Sequence, residues 1–154
     1  MLIGIPGSGK SYWVANNKEK LDSLKYDIIS TDTIRQELTG DVSDLSKDEF
    51  VWNVAKIRAF NSLINGKNVI LDATNLNYYY RSIFIENLPE CTLKAKIFDI
   101  NPELAKERVK NDLRNGKYRS TVPSHVIDRM YTQFIKYCQN STLRKEGFEL
   151  LGTL

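Results

Sequence analysis

The 154-residue sequence is 42% hydrophobic and 27% charged, a composition that fits one compact domain over residues 1–154. Its formal net charge of +3 is too small to indicate nucleic-acid binding by itself, and it contains neither an apolar run of about 18 residues nor a signal-peptide pattern. We therefore expect a cytoplasmic protein with no membrane partner, and the two cysteines and single histidine predict neither a disulfide framework nor a zinc site.

The first predicted elements are a short strand, a glycine-rich loop and a helix. Residues 1–5 are apolar enough for a buried strand, and residues 10 to about 24 lack proline and glycine, which predicts a helix with Tyr12, Trp13 and Leu21 as packing residues. Between them, residues 4–11 read G-I-P-G-S-G-K-S and match G-x-x-x-x-G-K-[ST] without a mismatch. An ordinary glycine-rich turn would not need the Lys-Ser pair, so the pattern predicts a phosphate-binding loop.

The residue types of this loop predict how it holds a nucleoside triphosphate. Glycines allow backbone N–H groups to approach the phosphates closely. Lys10 would reach the β- and γ-phosphates, Ser11 would ligate Mg²⁺, and the helix N-terminus adds partial positive charge. We expect the nucleotide to be bound by Gly7, Ser8, Gly9, Lys10, Ser11 and Tyr12.

A second strand is predicted over residues 26–30, followed by a short helix over 33–39 that ends at Gly40. Because the carboxyl ends of parallel strands line the ligand crevice, Asp32 should face the same mouth as the glycine loop. Asp32 and Arg35 lie three apart at a helix start, so they share a face. The carboxylate could accept a proton from an attacking hydroxyl while the guanidinium grips an anionic part of the acceptor. The alternative is that Asp32 only caps the helix.

After a polar loop, a helix with near-helical spacing of apolar residues is predicted over residues 48–64, and a continuous apolar strand over 68–72. The strand ends in Asp72-Ala73-Thr74-Asn75. An aspartate in this position often holds Mg²⁺ in phosphate-loop proteins, so Asp72 joins Ser11 as a predicted metal ligand. We also expect Asp72, Thr74 and Asn75 to contact the substrate, the alternative being a simple strand-ending turn.

The second half of the chain continues to alternate helices with strands. The predicted elements are helices over 77–88, 103–113 and from 122 through 137, and strands over 93–100 and 148–151. The run Tyr78-Tyr79-Tyr80 could stack on a base, although a tyrosine run at a helix start is more often part core and part surface. The whole pattern predicts an α/β fold with a parallel sheet of about five strands and helices on both faces.

A basic stretch surrounds the glycine-containing loop over residues 115–121, and it predicts a lid. Arginines that close over the γ-phosphate would stabilise the charge of the transition state, so Arg108 and Arg114 are candidate catalytic residues. The two lie about 120° apart on an ideal helix and can reach one phosphate only if the helix ends near Asn111. The alternative is a solvated basic face.

Taken together, these motifs resemble the phage-type polynucleotide kinase domain of the phosphate-loop (P-loop) kinase superfamily. The matching segments are residues 4–11, 32–35, 70–76, the basic lid and 122–131, in the family's order and over nearly the whole chain. The resemblance implies the P-loop NTPase fold and transfer of the ATP γ-phosphate to a 5′-hydroxyl end of DNA or RNA. It implies Asp32 as the general base and Arg35 as a contact to the acceptor's phosphate. Lys10 and Ser11 would then hold ATP and Mg²⁺.

The sequence departs from this family in two ways. The family's lid arginines usually lie four apart, whereas Asp112 stands four after Arg108, so Arg114 or Arg119 must substitute. No Asp-x-Asp-x-Thr string occurs and no room is left for a fused phosphatase or ligase domain, so we expect only the kinase half.

Other acceptors stay open, because the same branch includes kinases of small hydroxyl compounds such as nucleosides, sugars or antibiotics. A nucleotide-gated binding module is a third reading, but it would need no base at Asp32. The sequence leaves open the DNA or RNA preference, the donor nucleotide and the oligomeric state.

Overall fold

Strands and helices alternate along the chain and build an α/β fold. A computed structural model describes residues 1–117 and 119–152; residue 118, inside the predicted loop 115–121, lies outside the described residues. The elements are β1 (Leu2–Ile3), α1 (Lys10–Asn16), α2 (Lys18–Ser23), β2 (Tyr26–Ser30), α3 (Thr31–Thr39), α4 (Asp48–Ile64), β3 (Asn68–Asp72), α5 (Tyr78–Glu86), β4 (Lys94–Ile97), α6 (Pro102–Arg114), α7 (Ser124–Tyr137), α8 (Asn140–Lys145) and β5 (Glu149–Leu151). These strands form one parallel sheet in the order β2-β3-β1-β4-β5. The predicted α/β class and the parallel sheet of five strands are confirmed.

Helices cover both faces of the sheet. A strand can pack against both layers of helices, because successive residues of a strand point to opposite sides. In β3, Leu71 packs with Ile34 of α3 and with the inner residues of α4. Its neighbour Ile70 packs instead with Leu21 of α2 on the other face. A third and larger cluster joins Ile3 to α6 and α7. Both faces are therefore buried, which explains the continuous apolar strands in the sequence.

The glycine loop follows β1, the strand at which the order of strand addition reverses. β1 lies between β3 and β4, so the chain first builds one half of the sheet and then crosses to the other. In open parallel sheets, ligands bind at this switch point, outside the carboxyl ends of the strands. Asp72 is level with Leu2 on one side and with Ser30 on the other. The segments that follow β1, β2 and β3 therefore meet at one edge.

The predicted helix over residues 10–24 is wrong in one respect, since the chain forms two helices that meet at Asn17. The Asn17 side-chain amide donates to the Trp13 carbonyl oxygen at 2.8 Å, and the backbone of Asn17 leaves the helical region. An asparagine that competes for main-chain acceptors in this way interrupts a helix. Tyr12, predicted to pack, is exposed, whereas Leu21 is buried.

Smaller differences concern the ends of elements. The helix predicted over 33–39 begins at Thr31, and the strand predicted over 93–100 is reduced to Lys94–Ile97. The sequence interpretation missed α8, a polar six-residue helix whose one buried residue is Leu143, because a single apolar residue gives no periodicity. The bounds of β2, α4 and β3 are those predicted.

The cysteines and the membrane-span expectation can both be compared with the described residues. Cys91 and Cys138 are both free thiols. Within residues 1–117 and 119–152, no helix has the length and apolar character needed to cross a lipid bilayer.

Candidate active site

The glycine loop turns tightly between β1 and α1, and two of its glycines have a positive φ that other residues rarely adopt. Gly7 has a φ of 80° and Gly9, which precedes α1, a φ of 100°. A Cβ atom at Gly7 would lie 2.5 Å from the carbonyl oxygen of Ala105 in α6. Positive φ and close backbone approach are both properties that glycine supplies. The loop is thus held against the start of α6.

Lys10 is buried in the concave side of this loop. Its Nζ donates to the carbonyl oxygens of Gly4 and Ile5 at 2.8 and 3.0 Å, and to Ser8 Oγ at 3.3 Å. Burial lowers the pKa of Lys10 to about 8, while the negative charges of Asp72 and Asp32 act in the opposite direction. A partly desolvated ammonium group at this point is matched to an anionic ligand, which would supply the missing countercharge.

Ser11 and Asp72, the two residues predicted to ligate Mg²⁺, come together at the base of the loop. Ser11 Oγ donates to Asp72 Oδ2 at 2.9 Å. Burial raises the pKa of Asp72, and the charge of Lys10 together with the hydrogen bond from Ser11 partly offsets this. One hydroxyl and one carboxylate fit the few protein oxygens that Mg²⁺ takes when phosphates and water complete its shell. Among the described residues there is no group of three or more acidic, His or Cys side chains that would form an all-protein metal cage.

Asp32 stands at the open side of the same edge, and it does not cap its helix. Ser30 is the N-cap of α3 and accepts from the Thr33 N–H at 3.3 Å, so the alternative role considered for Asp32 belongs to Ser30. The Asp32 side chain is 57% exposed. Its Oδ1 accepts from Arg35 at 2.8 Å and from Ser120 Oγ at 3.4 Å. These contacts fix the orientation of the carboxylate while leaving it accessible.

The guanidinium of Arg35, which was expected to be free to bind a phosphate of the acceptor, is instead bound to two carboxylates. The side chain is buried, with Nη1 on Asp32 and Nη2 on Asp48 Oδ1 at 2.7 Å. Asp48 begins α4 and was not predicted as a site residue, because it meets Arg35 only through the packing of α3 on α4. A guanidinium shared by two carboxylates holds Asp32 in place rather than offering a free charge.

The predicted lid arginines occupy three different environments. Arg108 reaches the glycine loop, with Nη1 4.0 Å from the position of a Cβ on Gly9. α6 continues through Arg114, so the condition for Arg114 to join Arg108 on one phosphate, a helix ending near Asn111, is not met. Arg119 is held by Asp112 Oδ2 at 2.7 Å, and its charge contributes to the lowered pKa of Lys10. Arg108 and Arg119, rather than Arg108 and Arg114, are the arginines placed toward the loop.

The segment after Arg119 contacts the loop before α4 at one side of the mouth. Ser120 Oγ donates to the Val42 carbonyl oxygen at 3.2 Å, and the Thr121 N–H donates to Ser43 Oγ at 3.1 Å. Together with the contact between Ser120 and Asp32, these bonds bring the basic segment from α6 across the mouth to α3. Ser120 was not singled out from the sequence, and no local pattern marks it.

Residues 74 and 75, which follow Asp72, tie β3 to β1 and to the glycine loop. The Thr74 carbonyl oxygen accepts from the Gly4 N–H at 3.1 Å and ties the loop to β3. Asn75 is buried with a φ of 51°, and its Nδ2 donates to the Leu2 carbonyl oxygen at 2.7 Å and more weakly to two others. The predicted substrate contact of Asn75 is therefore corrected to a structural role.

The run of three tyrosines differs from the expectation that it is part core and part surface. Tyr78, Tyr79 and Tyr80 are all exposed in the first turn of α5, and the rings of Tyr79 and Tyr80 meet edge to face. Tyr12 is exposed one residue after Ser11, next to the glycine loop.

Comparison with known proteins gives one family and several solved structures. A family model described as AAA domain matches residues 1–136, whereas no curated protein matches the sequence. The structure is similar to a chain of the Pnkp1/Rnl/Hen1 RNA repair complex, with a TM-score of 0.72 and 23% identity over 94% of this chain and 44% of that chain. A second structure of the Pnkp1/Rnl/Hen1 complex gives 0.62 and 28% identity over 70% of this chain and 37% of that chain. Deoxyadenosine kinase from M. mycoides with bound dATP gives 0.55 and 15% identity over 98% of this chain and 88% of that chain.

These matches confirm the P-loop kinase fold and the resemblance to a P-loop polynucleotide kinase domain that the motifs predicted. The chain spans less than half the length of the matched chains in the two repair-complex structures.

Proposed function

Because this chain belongs to the AAA domain family and has the P-loop kinase fold, we propose that it is a polynucleotide 5′-hydroxyl kinase. It transfers the γ-phosphate of ATP to the 5′-hydroxyl end of DNA or RNA. The domain over residues 1–154 carries this activity. The similarity to a chain of an RNA repair complex supports a nucleic acid acceptor, and the motifs after β1, β2 and β3 support the chemistry.

The observation that carries this proposal is that the lysine of the glycine loop and an accessible carboxylate meet at one edge of the sheet. Asp32 is exposed, and its negative charge partly opposes the burial that lowers the pKa of Lys10. A kinase needs this pairing, because the acceptor hydroxyl must be held between the γ-phosphate and a base. A protein that only binds nucleotide would need no carboxylate there.

The proposed reaction assigns a role to each group of this chain. The 5′-hydroxyl oxygen attacks the γ-phosphorus, the bond from that phosphorus to the β–γ bridging oxygen breaks, and ADP leaves. The hydroxyl proton passes to Asp32, at Oδ2, because Arg35 and Ser120 already donate to Oδ1. Lys10, Arg108 and Arg119 balance the charge that spreads over the phosphoryl oxygens. Loop N–H groups hold the phosphates in line with the acceptor.

Ser11 and Asp72 would hold Mg²⁺, since their oxygens lie 2.9 Å apart at the base of the loop. The ion would supply positive charge to the β- and γ-phosphate oxygens.

A direct test offers γ-labelled ATP with Mg²⁺ and four acceptors: 5′-hydroxyl DNA, 5′-hydroxyl RNA, nucleosides and nucleoside 3′-monophosphates. We expect label on the 5′ ends of the oligonucleotides. The Asp32→Asn variant should lose turnover while it still binds ATP, and Asp22→Asn on the exposed face of α2 serves as the matched control. Unlabelled oligonucleotides with the wild-type protein would refute the proposed acceptor.

The environment of Arg35 favours a second candidate, a nucleoside kinase. Its guanidinium is occupied by Asp32 and Asp48, and an uncharged acceptor would not need it. Deoxyadenosine kinase is among the similar structures, at an identity that indicates the fold alone.

Arg35→Ala separates the two candidates. A larger rise in KM for a nucleoside 3′-monophosphate than for its parent nucleoside supports the polynucleotide acceptor. Equal losses of kcat on both acceptors mean that Arg35 only positions Asp32.

A further inference from the structure

The helix α4 is apolar on two opposite faces, although the fold buries only one of them. Val51, Ala55 and Ala59 are fully buried against the sheet, in contact with residues of β2, β3 and α5. The small side chains of Ala55 and Ala59 let this face lie close to the sheet. The core therefore accounts for one side of α4 and leaves the other side to be explained.

The opposite side carries large apolar side chains that face solvent. Phe50 is 67% exposed, Ile57 61%, Phe60 41% and Ile64 58%. At 100° per residue, Ile57 points about 160° away from Ala55 and Ala59, straight out from the sheet. With Asn53 these residues form the outer stripe of α4, defined as Phe50, Asn53, Ile57, Phe60 and Ile64.

The outer stripe has the spacing of a helix–helix seam. Its members follow one another at intervals of three, four, three and four residues, the strict repeat that a second α-helix fills. No charged residue occurs at these five positions, which disfavours nucleic acid as the occupant because its phosphates need cations. A helix that is apolar all round is normally buried.

We propose that α4 is a dimerisation helix, and that the outer stripe packs against the same stripe of a second copy of this chain about a two-fold axis. A two-fold interface is self-complementary, so a seam on one helix is matched by the identical seam of its partner. Asn53 is the one polar member, and burying its amide in an otherwise apolar seam costs stability.

The area of the outer stripe agrees with this occupant. A fully exposed large apolar side chain has an accessible surface of roughly 200 Å². At the exposed fractions given above, the four apolar side chains of the outer stripe together expose roughly 450 Å². A standard interface buries about 800 Å² per partner, of which about 56–65% is apolar, or roughly 450–520 Å². The outer stripe therefore supplies the apolar part of one standard-size interface. It also falls in the range of about 300–600 Å² at which an exposed apolar patch is often functional.

Sedimentation equilibrium over a dilution series tests the proposal. We expect the wild type to be a dimer that dissociates on dilution, and Ile57→Glu to be monomeric, since it places two charges in the seam. Ile135→Glu is the matched control, because Ile135 is a 46% exposed isoleucine on a different helix, α7, and should leave the dimer intact. Circular dichroism of each variant checks that it is folded.

A second variant keeps the test decisive if Ile57→Glu fails to fold. Asn53→Leu completes the apolar seam, so we expect the dimer dissociation constant of this variant to be at least tenfold lower than that of the wild type. A wild type that is monomeric at the highest concentration reached would overturn the proposal. So would a dimer that Ile57→Glu leaves intact, one that Ile135→Glu disrupts equally, or one that Asn53→Leu does not strengthen.

Discussion

Lys10→Met should abolish phosphoryl transfer and at the same time change how the stability of the protein depends on pH. The lysine is held in a buried loop where burial lowers its pKa from 10.5 to about 8. In the unfolded chain it would keep the ordinary value. A difference of this size corresponds to about 3 kcal/mol, by which the buried ammonium group opposes folding near neutral pH.

The direction of the pH effect follows from proton binding. Between about pH 8 and 10.5 the unfolded state binds more protons at Lys10 than the folded state, so raising the pH favours folding of the wild type. Below about pH 8 both states are protonated and the full penalty applies. The methionine side chain of the variant binds no proton in either state. The unfolding free energy of the wild type minus that of Lys10→Met should therefore rise by about 2 kcal/mol between pH 7 and pH 10.

Urea unfolding followed by tryptophan fluorescence, in buffer without nucleotide or Mg²⁺, measures this difference at each pH. Comparing two proteins cancels the contributions of those shared groups whose pKa does not depend on the charge of Lys10; Asp72, whose pKa that charge holds down, is not one of them. Lys20→Met on the exposed surface of α2 is the matched control for replacing a lysine by methionine away from the glycine loop. If the difference for Lys10→Met stays constant within about 0.5 kcal/mol from pH 7 to 10, the lysine is not held at an energetic cost and the reasoning fails.

Three further outcomes follow from the site. Asp32→Asn should lower kcat by a factor on the order of 10² or more and leave the ATP dissociation constant nearly unchanged, measured by single-turnover transfer and nucleotide titration. Arg108→Ala and Arg119→Ala should each lower kcat on the order of 10²-fold, and Arg114→Ala should stay near wild type; equal effects in all three would remove the distinction between them. Gly7→Ala should destabilise the protein by about 1–3 kcal/mol in thermal unfolding, because its φ of 80° and the nearby α6 carbonyl leave no room for a Cβ, and an unchanged Tm would contradict this.

The fold and the base of the site could be predicted because short-range spacing determines them. The strand, glycine loop and helix around Lys10 are contiguous, and Asp72 ends a strand whose apolar run is visible in the sequence. Parallel strands then bring Asp32 to the same edge without knowledge of any side-chain contact. These features depend on periodicity and on the parallel sheet that alternating strands and helices predict.

The partners of Arg35 could not be predicted in the same way. Asp48 lies 13 residues away and reaches Arg35 only because α3 packs on α4. The exposed stripe of α4 could not be predicted for a similar reason, since Phe50 and Val51 are adjacent apolar residues of which the first is exposed and the second buried. Sequence spacing alone does not tell which apolar side of a helix meets the sheet.

The position of Arg114 carried a signal that could have been used. Asn115-Gly116 follows α6 as Asn65-Gly66 follows α4, and both glycines have positive φ. Such a pair ends a helix. The Asn115-Gly116 pair indicates that Arg114 belongs to the last turn of α6 and that Arg119 is the arginine beyond the turn.

The most direct test of the account is the transfer of the γ-phosphate to a 5′-hydroxyl oligonucleotide. Wild type, Asp32→Asn and Asp22→Asn are incubated with γ-labelled ATP and Mg²⁺, and the position of the label is found by digestion to mononucleotides. The account predicts label only at the 5′ end, with the wild type and Asp22→Asn active and Asp32→Asn nearly inactive. Label on free nucleosides with none on oligonucleotides, or full activity of Asp32→Asn, would contradict it.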